Sequence, residues 1–447
     1  MLPSRKPKAK VFERLTGVKL RLLRHLRPTT VVTPEDYPGL YSGRKQAVYK
    51  RAYESLLSRG LQRKDAYVST FVKAEKVNFS AKDDPAPRVI QPRTPRYNLC
   101  VGRYLKLFEK GLSQGFAQMC GYRVILKCLN ADSVATQLRE NWMTFRDPVA
   151  FGLDASRFDQ HVSIDALKFE HSVYNSVFKS PELARLLSWQ LHNKGFGRIG
   201  EALVKYTVEG CRMSGDINTG MGNCLIMSCI VLAYFDHIGV VARLANNGDD
   251  CVVVCERRDE PKFSGISEWF TDFGFKLKRE PTTDIFERIE FCQTQPVLVG
   301  GAYRMVRNPW SAMSKDCLTM LPIESITQFN TWRDAIGTCG LELTRGVPVW
   351  ESFYRALQDT GCRSGGLERI RDSGMGYMAR GVRDSVVDEE SRYSFWLAFS
   401  IDPDLQRIME SSWPSIVFDP EPPLISINEI KHFTENPLRW LQHATTD

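Results

Sequence analysis

The chain has 447 residues, 43% of them hydrophobic and 25% charged, which is typical of a soluble globular protein with two or three subdomains. No apolar run approaches the length of a membrane span, and the basic first thirty residues do not resemble a signal peptide. These features predict a reducing, cytosolic compartment with the 12 cysteines as thiols, and the absence of a CxxC pair argues against a zinc site.

The positive charge of the chain is concentrated at its amino terminus. The net charge is +8, and residues 1–30 contain nine lysines or arginines against one acidic residue, Glu13. Four apolar residues in this segment recur at helical spacing: Val11, Leu15, Val18 and Leu22. The segment is therefore predicted to form a basic amphipathic helix, which could hold RNA phosphates or an anionic membrane surface. The alternative is a solvated basic arm without a partner.

Hydrophobic periodicity predicts helices and one buried strand in the first half of the chain. The predicted helices cover residues 45–57, 98–112, 133–142, 164–178 and 220–234. Residues 77–96 are rich in Pro, Lys and Arg and are predicted to form an extended loop. The apolar residues 149–153 are predicted to form a short buried strand that ends directly before Asp154.

Two β-hairpins are predicted in the second half of the chain. The first joins residues 240–245 to 251–255 through a turn that contains Asn247-Gly248, a dipeptide typical of tight hairpins. The second joins residues 289–299 to 302–306 and turns at Gly300-Gly301. Beyond Pro309 the pattern is mostly helical. This mixture predicts an α+β core with helical flanks.

Three carboxylates in this pattern are candidates for binding metal ions. Asp154 follows the predicted buried strand, and Asp249 and Asp250 lie at the tip of the first hairpin. By itself an Asp pair at a hairpin tip is ordinary turn chemistry. Nucleotidyl transfer with two Mg²⁺ ions, however, needs carboxylates from separate elements that hold the ions roughly 3.5–4 Å apart. The order of these residues predicts such a site, with two Mg²⁺ or Mn²⁺ ions as cofactors.

A polar segment between the carboxylates is a candidate for recognising a ribose. Thr219 and Asn223 are four residues apart and share one face of the predicted helix. Near the second carboxylate, Asp159, they could hydrogen-bond the 2′-hydroxyl that distinguishes RNA precursors from DNA precursors. Ser214 and Gly215 form a flexible turn before the helix that could approach the template or the nucleotide. The alternative for Thr219 and Asn223 is helix capping and core hydrogen bonding.

These segments resemble the palm motifs of viral RNA-dependent RNA polymerases. The segment "GLDASRFDQHVS" resembles motif A, "SGDINTGMGNCLIMS" resembles motif B and "NNGDDCVVV" resembles motif C. These sequences are most similar to those of the Tombusviridae and umbravirus-like polymerases of plant positive-strand RNA viruses. "KAEKVNFSAKDDPAPRVIQPRTPRYN" resembles motif F, and "IEFCQTQPVLVGG" followed by "YRMVRNP" resembles motif E. The resemblance covers about residues 70–310.

The resemblance implies roles for individual residues. Asp154 and Asp249 would be the principal metal ligands, supported by Asp250, and the ribose would be read by Asp159, Thr219 and Asn223. Lys76, Arg88 and Arg93 would line the entry channel and hold the triphosphate, for which forked arginine donors are suited. Lys276 and Lys278 are candidates for a general acid, but an exposed strand face explains both equally simply. The hairpin after Glu290 would hold the primer end.

The resemblance also implies an architecture and partners. The fold would be a right hand with an antiparallel-sheet palm and helical fingers and thumb. After a basic segment at residues 1–30, the fingers would cover 31–150, with the basic loop at 73–96, and 164–208. The palm would cover 151–163 and 209–306, and the thumb region 307–447. RNA template, RNA product and NTPs would be the substrates. Because no membrane segment is predicted in the chain, a viral accessory replication protein or the basic amino-terminal helix would bring it to host membranes in the cytoplasm.

Two rival functions differ in their predicted chemistry. A reverse transcriptase shares the palm carboxylates, but it excludes a 2′-hydroxyl with a bulky side chain, whereas Asp159 and Asn223 are hydrogen-bonding residues. A catalytically inactive RNA-binding replication factor would not need the intact Asp154, Asp249 and Asp250. The sequence therefore favours an RNA-directed RNA polymerase that replicates a viral genome.

Overall fold

A computed structural model describes residues 6–76, 87–200, 202–320, 323–358, 361, 379, 381–416 and 418. The α-helices in chain order are α1 Thr16–His25, α2 Gly43–Ser58, α3 Pro95–Cys120, α4 Ala131–Trp142, α5 Phe158–His161, α6 Ile164–Phe178, α7 Pro181–Ser188, α8 Thr219–Ile238, α9 Ile266–Asp272, α10 Pro309–Asp316, α11 Ile326–Thr344, α12 Trp350–Gln358, α13 Glu389–Phe399 and α14 Pro403–Ser412. The strands are β1 Val68–Val72, β2 Val89–Ile90, β3 Pro148–Ala155, β4 His192–Ile199, β5 Ala202–Glu209, β6 Ala242–Asn246, β7 Asp250–Glu256, β8 Leu277–Arg279, β9 Thr294–Val299 and β10 Ala302–Arg307.

The chain divides into two compact units. The first contains Met1–Ala74, Asp84–Lys127 and Asn141–Thr283, and the second contains Glu75–Asp83, Cys128–Glu140 and Asp284–Asp447. The mixture of helices with separate sheets confirms the predicted α+β character. The finer boundaries of fingers, palm and thumb stay predictions.

The basic amino-terminal segment is helical, as predicted, and packs into the first unit. A 3-10 helix at Val11–Leu15 leads into α1. Its four periodic apolar residues are all buried, none more than 3% exposed: Val11, Leu15, Val18 and Leu22. Arg14 and Arg21 form ion pairs with Asp272 and Asp236. The periodic apolar face of this helix is therefore part of the protein core.

The centre of the first unit is a four-stranded antiparallel sheet in the order β6-β7-β3-β8. The predicted buried strand and first hairpin are confirmed as β3, β6 and β7. Helix α8 belongs to the same hydrophobic core, and nearly every residue from Met221 to Phe235 is buried because the helix is apolar on all sides. This helix is long and apolar enough to cross a membrane, but 83% of its apolar 18-residue stretch is buried inside the protein.

A second sheet of the first unit has the order β2-β1-β4-β5. Strand β2 lies within the segment that the sequence analysis predicts as an extended loop, because Val89 and Ile90 pair with Val72 and Phe71 of β1. Residues 77–86 of the predicted basic loop lie outside the described residues.

The second unit contains the other predicted hairpin. Strands β9 and β10 pair in antiparallel register and turn at Gly300-Gly301, both with positive φ. Helices α12 and α13 pack against the hairpin, and Phe395 is completely buried in this core. Trp413 packs partly against the same core, whereas Tyr393 and Trp396 are more than 40% exposed.

Candidate nucleotidyl-transfer site

The three candidate metal ligands lie together at one edge of the central sheet. Asp154 on β3 is the direct cross-strand partner of Asp250 on β7. In an antiparallel pair, opposite residues project from the same face with Cβ atoms about 4.5–5.5 Å apart. Asp249 directly precedes Asp250 at the tip of the hairpin, and all three side chains are exposed. The strand end and the hairpin tip therefore bring carboxylates from two separate chain segments to one place.

The hairpin tip is held by the buried side chain of Asn246. Its Nδ2 donates to the Gly248 carbonyl (2.9 Å), and its Oδ1 accepts from the Gly248 amide (3.1 Å). The Asn247 amide donates to the Asp250 carbonyl (2.9 Å), so the loop between the strands consists of Gly248 and Asp249. Gly248 has a φ of 101°, which glycine adopts without strain. The turn centre is thus one residue beyond the Asn-Gly dipeptide used to predict it.

The electrostatics of this edge are unfavourable without a counter-charge. Partial desolvation raises the pKa of Asp249, and the Asp154 carboxylate raises it further. Asp249 in turn contributes to the raised pKa of Asp159, whose largest cause is burial. The contributions of neighbouring carboxylates to the raised pKa values of Asp249 and Asp159 indicate that these groups lie close enough to interact. Divalent cations would remove this repulsion.

The described residues contain no cluster of three or more His, Cys, Asp or Glu side chains already drawn together around a metal position. A closed cluster is not required for Mg²⁺, which keeps several waters and takes one or two carboxylates plus substrate phosphates. The open edge formed by Asp154, Asp249 and Asp250 fits that coordination chemistry.

The candidate ribose residues also meet in the structure. Helix α8 begins at Thr219, and Asn223 lies one turn further, with its Nδ2 donating to Asp159 Oδ1 (2.7 Å). The Thr219 hydroxyl donates to the Met213 carbonyl (2.8 Å) and so ties the start of α8 to the segment before it. Asp159 is held on the short helix α5, directly beyond β3. The contact between Asp159 and Asn223 joins the two motifs that the sequence placed apart.

The Ser214-Gly215 turn is attached to the segment that follows β2. Ser214 Oγ accepts from the Gln91 amide (3.0 Å), and the Gly215 amide donates to the Gln91 carbonyl (3.3 Å). A side chain at Gly215 would overlap the Pro92 backbone, so glycine is required by this close approach. The turn before α8 and the end of the basic loop are thus one connected structure.

The three basic residues predicted to hold the triphosphate have different surroundings. Arg88 is exposed on the first unit. Arg93 is 4% exposed, and its guanidinium binds both oxygens of Asp216, the Asn193 side chain (2.6 Å) and the Ala66 carbonyl. Direct contact of Arg93 with a triphosphate would require it to leave these partners. Lys76 belongs to the second unit, where its ammonium donates to the Lys315 carbonyl and burial lowers its pKa.

Lys278 is a residue whose position the sequence could not reveal. On β8 it is the direct cross-strand partner of Asp154, on the side of β3 opposite to β7. Asp250, Asp154 and Lys278 therefore form one row across the same sheet face. Lys276 is exposed two residues earlier on the chain. Both lysines are exposed, as the simpler interpretation expected, but only Lys278 lies on a strand, on the face that carries the carboxylates, whereas Lys276 directly precedes β8.

Two carboxylates on neighbouring strands, Asp154 and Asp250, lie near helix α8, whose Asn223 amide binds the further carboxylate Asp159. This arrangement is typical of template-directed nucleotide polymerases. Comparison with protein families agrees, since the family model described as viral RNA dependent RNA polymerase matches residues 1–418. The chain belongs to this family.

Individual relatives are similar over most of the chain. It is 46% identical over 423 residues to an RNA-directed RNA polymerase of Tobacco necrosis virus (strain D), covering 92% of this chain and 58% of the relative. It is 46% identical over 422 residues to that of Melon necrotic spot virus (92% and 53%). It is 42% identical over 429 residues to that of Turnip crinkle virus (93% and 54%). The chain thus spans about half the length of the curated relatives it matches.

Proposed function

We propose that this chain is an RNA-directed RNA polymerase that replicates a positive-strand viral RNA genome by adding NTPs to an RNA 3′-hydroxyl. The observation that carries the proposal is the convergence of Asp154, Asp249 and Asp250 at one sheet edge, with the Asp159–Asn223 contact on the elements that adjoin it. The relatives named RNA-directed RNA polymerase support the same activity.

Polymerases of this family generally use divalent metal ions. Asp154 and Asp249 are the proposed principal ligands of two Mg²⁺ or Mn²⁺ ions, with Asp250 in support. Such ions, when bound, lower the pKa of the attacking hydroxyl and offset the charge that develops on the phosphates. Desolvation raises the pKa of Asp249 and the Asp154 carboxylate adds to it, and this repulsion supports the assignment because a cation would relieve it.

The nucleotide is proposed to bind beside these carboxylates. Asp159 and Asn223 would recognise the ribose 2′-hydroxyl, which both donates and accepts hydrogen bonds. Thr219, Ser214 and Gly215 would shape this pocket, since they hold the start of α8 and the turn before it. Arg88 and Lys76 are proposed to contact the triphosphate, and Arg93 to support that region through Asp216.

The right-hand architecture, with fingers, palm and thumb, is part of the proposal, and the central sheet β6-β7-β3-β8 would be its palm. RNA template, RNA product and NTPs are the proposed substrates. A viral accessory replication protein, host membranes reached through it and a cytoplasmic location are proposed on the strength of the family alone.

Single-nucleotide incorporation on a primed RNA template tests the activity. The wild-type chain should extend the primer with NTPs in Mg²⁺ or Mn²⁺, and Asp249→Asn should abolish extension while RNA binding is retained. Asp384→Asn, which changes a carboxylate that is 79% exposed in the second unit, is the matched control and should remain active. Preference for dNTPs would identify a reverse transcriptase. RNA binding without incorporation by the wild type would identify an inactive replication factor.

A further inference from the structure

Behind Asp159 and Asn223 lies an ion pair that has no contact with solvent. Arg212 Nη2 donates to Glu170 Oε2, and both side chains are 0% exposed. Burying two charges is costly even when they pair, and well-packed apolar residues often replace such a pair without loss of stability. Stability alone is therefore a weak explanation for this pair.

Arg212 contacts both residues of the proposed ribose site. Its backbone amide donates to the Asp159 carbonyl (2.8 Å), and its Nε donates to Asn223 Oδ1 (3.1 Å). A carboxamide has one accepting and one donating end. With its oxygen bound to Arg212, the amide nitrogen of Asn223 must face Asp159, as its 2.7 Å hydrogen bond shows. Without the Arg212 donor, the carboxamide could rotate and present its oxygen to the Asp159 carboxylate.

Glu170 holds Arg212 in this place. Its Oε1 accepts from the Tyr174 hydroxyl (2.8 Å) and from Asn218 Nδ2 (2.7 Å), and Asn218 is the residue that precedes helix α8. A side chain at Gly222 would overlap both Glu170 and Arg212. Although burial alone lowers the pKa of the Arg212 guanidinium, the Glu170 carboxylate raises it above its ordinary value. The donor that faces Asn223 is thus charged, enclosed and tied to the helix start.

We propose that Arg212, held by Glu170, is a positioning residue for nucleotide-sugar recognition: it orients the Asn223 carboxamide so that Asp159 and the Asn223 amide together present one fixed hydrogen-bonding surface to a 2′-hydroxyl. The proposal rests on the proposed function, because it presumes that Asp159 and Asn223 contact the sugar. It adds that discrimination between NTPs and 2′-dNTPs depends on a residue that never touches the nucleotide.

A double-mutant cycle tests this role, since two residues that act through one another have non-additive effects. The measured quantity is the ratio of kcat/KM for an NTP to that for its 2′-dNTP, with KM and kcat recorded separately. Arg212→Lys keeps a cation beside Glu170 but removes the planar donor to Asn223. It should lower the ratio on the order of tenfold, the equivalent of one hydrogen bond, mainly through a higher KM for the NTP. In an Asn223→Ala background the same change should have no further effect on the ratio.

Arg304→Lys is the matched control. Arg304 is another arginine with a side chain that is 0% exposed, and it pairs with Asp132 (2.7 Å) in the second unit. It should lower stability in denaturant unfolding and leave the ratio unchanged. If Arg212→Lys does not fold, Arg212→Met combined with Glu170→Gln removes both buried charges together and tests the same prediction.

The outcomes separate the two proposals. An unchanged ratio in Arg212→Lys, or an equal fall in the wild-type and Asn223→Ala backgrounds, overturns the positioning role alone. An unchanged ratio in Asn223→Ala itself overturns the ribose site, and the positioning role with it. A fall in the ratio for Arg304→Lys would show that general loosening of the protein is sufficient, which also overturns the positioning role.

Discussion

Desolvation by itself raises the pKa of both Asp249 in the first unit and Asp132 in the second unit, yet the charged groups around these two carboxylates are opposite in sign. Asp132 accepts hydrogen bonds from Arg304 Nε (2.7 Å) and from the amide and Nε of Arg383 (3.0 and 3.2 Å). Burial works against its charge, but these arginines lower its pKa below the ordinary value. Around Asp249, desolvation and the Asp154 carboxylate raise the pKa.

The difference separates carboxylates that stabilise the fold from those arranged for a ligand. The charge of Asp132 is neutralised by the protein itself, so this residue is expected to contribute to stability. The strand register brings the charges of Asp249 and Asp154 together, and they repel each other. This repulsion lowers the free energy of unfolding, and bound metal ions would remove the repulsion. Functional sites commonly carry such local costs.

The largest expected effect is on catalysis at the destabilised carboxylates. Asp249→Asn should lower the rate of nucleotide incorporation by on the order of a thousandfold or more, because metal-ion stabilisation of the transition state is worth several kcal/mol. Asp250→Asn should cause a smaller loss, since Asp250 is the supporting ligand. Steady-state primer extension measures both rates. A larger loss for Asp250→Asn would reverse the two assignments.

Substitution of Asp132, whose charge is neutralised by arginines, should lower the free energy of unfolding. Asp132→Asn leaves Arg304 buried without its counter-ion, and breaking a buried pair in this manner costs about 3–5 kcal/mol. Urea unfolding monitored by circular dichroism gives the change in the free energy of unfolding. Asp249→Asn in the same assay should not lower stability, because it removes a repulsion. An equal loss of stability in both variants would contradict the inference that Asp132 stabilises the fold and Asp249 does not.

Magnesium should stabilise the folded protein by binding to Asp154, Asp249 and Asp250, and not through Asp132. Ligand that binds the native state alone adds about 2.7 kcal/mol when its free concentration is a hundred times Kd. Thermal unfolding with and without Mg²⁺, in the absence of RNA and NTP, should show this increase for the wild type and for Asp384→Asn. The increase should be lost in Asp249→Asn. A Mg²⁺ effect that survives this substitution would place the ions elsewhere.

The smallest effect concerns pH, and its sign differs between the two residues. The lowered pKa of Asp132 means that its stabilising contribution is present above the unfolded pKa of about 3.9 and is lost as pH falls through the folded value. The raised pKa of Asp249 means that the folded state binds its proton more tightly than the unfolded state. The stability of the wild type relative to Asp249→Asn should therefore improve as pH falls through that raised pKa.

Unfolding curves across this pH range, in buffer without divalent cations, give both trends. Asp384→Asn serves as the control variant, because it removes a carboxylate that is largely exposed in the second unit. A constant difference between the wild type and Asp249→Asn at every pH would contradict the repulsion inferred from the structure.

Local patterns were sufficient to predict most secondary structure. The helix at residues 164–178 has the predicted bounds, and the strand before Asp154 and both hairpins are present. Helical and strand periodicities are properties of neighbouring residues, so the sequence alone carries them. The order of the carboxylates and of Asn223 along the chain is likewise a local property, and the nucleotidyl-transfer site that it predicts stays a prediction.

Long-range pairing decided what these residues meet. The sequence did not show that Asp154 is opposite both Asp250 and Lys278, because strand register depends on the packing of the whole sheet. Arg93 has the composition and place of a phosphate ligand, but Asp216, 123 residues away, binds its guanidinium in the interior.

The Glu170–Arg212 pair was missed for the same reason. Glu170 is a charged residue in the middle of helix α6, and no neighbouring residue in the sequence indicates that its side chain is buried. By itself the sequence determined which groups are available, in which order, and which local elements carry them. Only the tertiary structure decided which charges are neutralised inside the protein and which remain for a ligand, because that depends on distances between residues far apart in the chain.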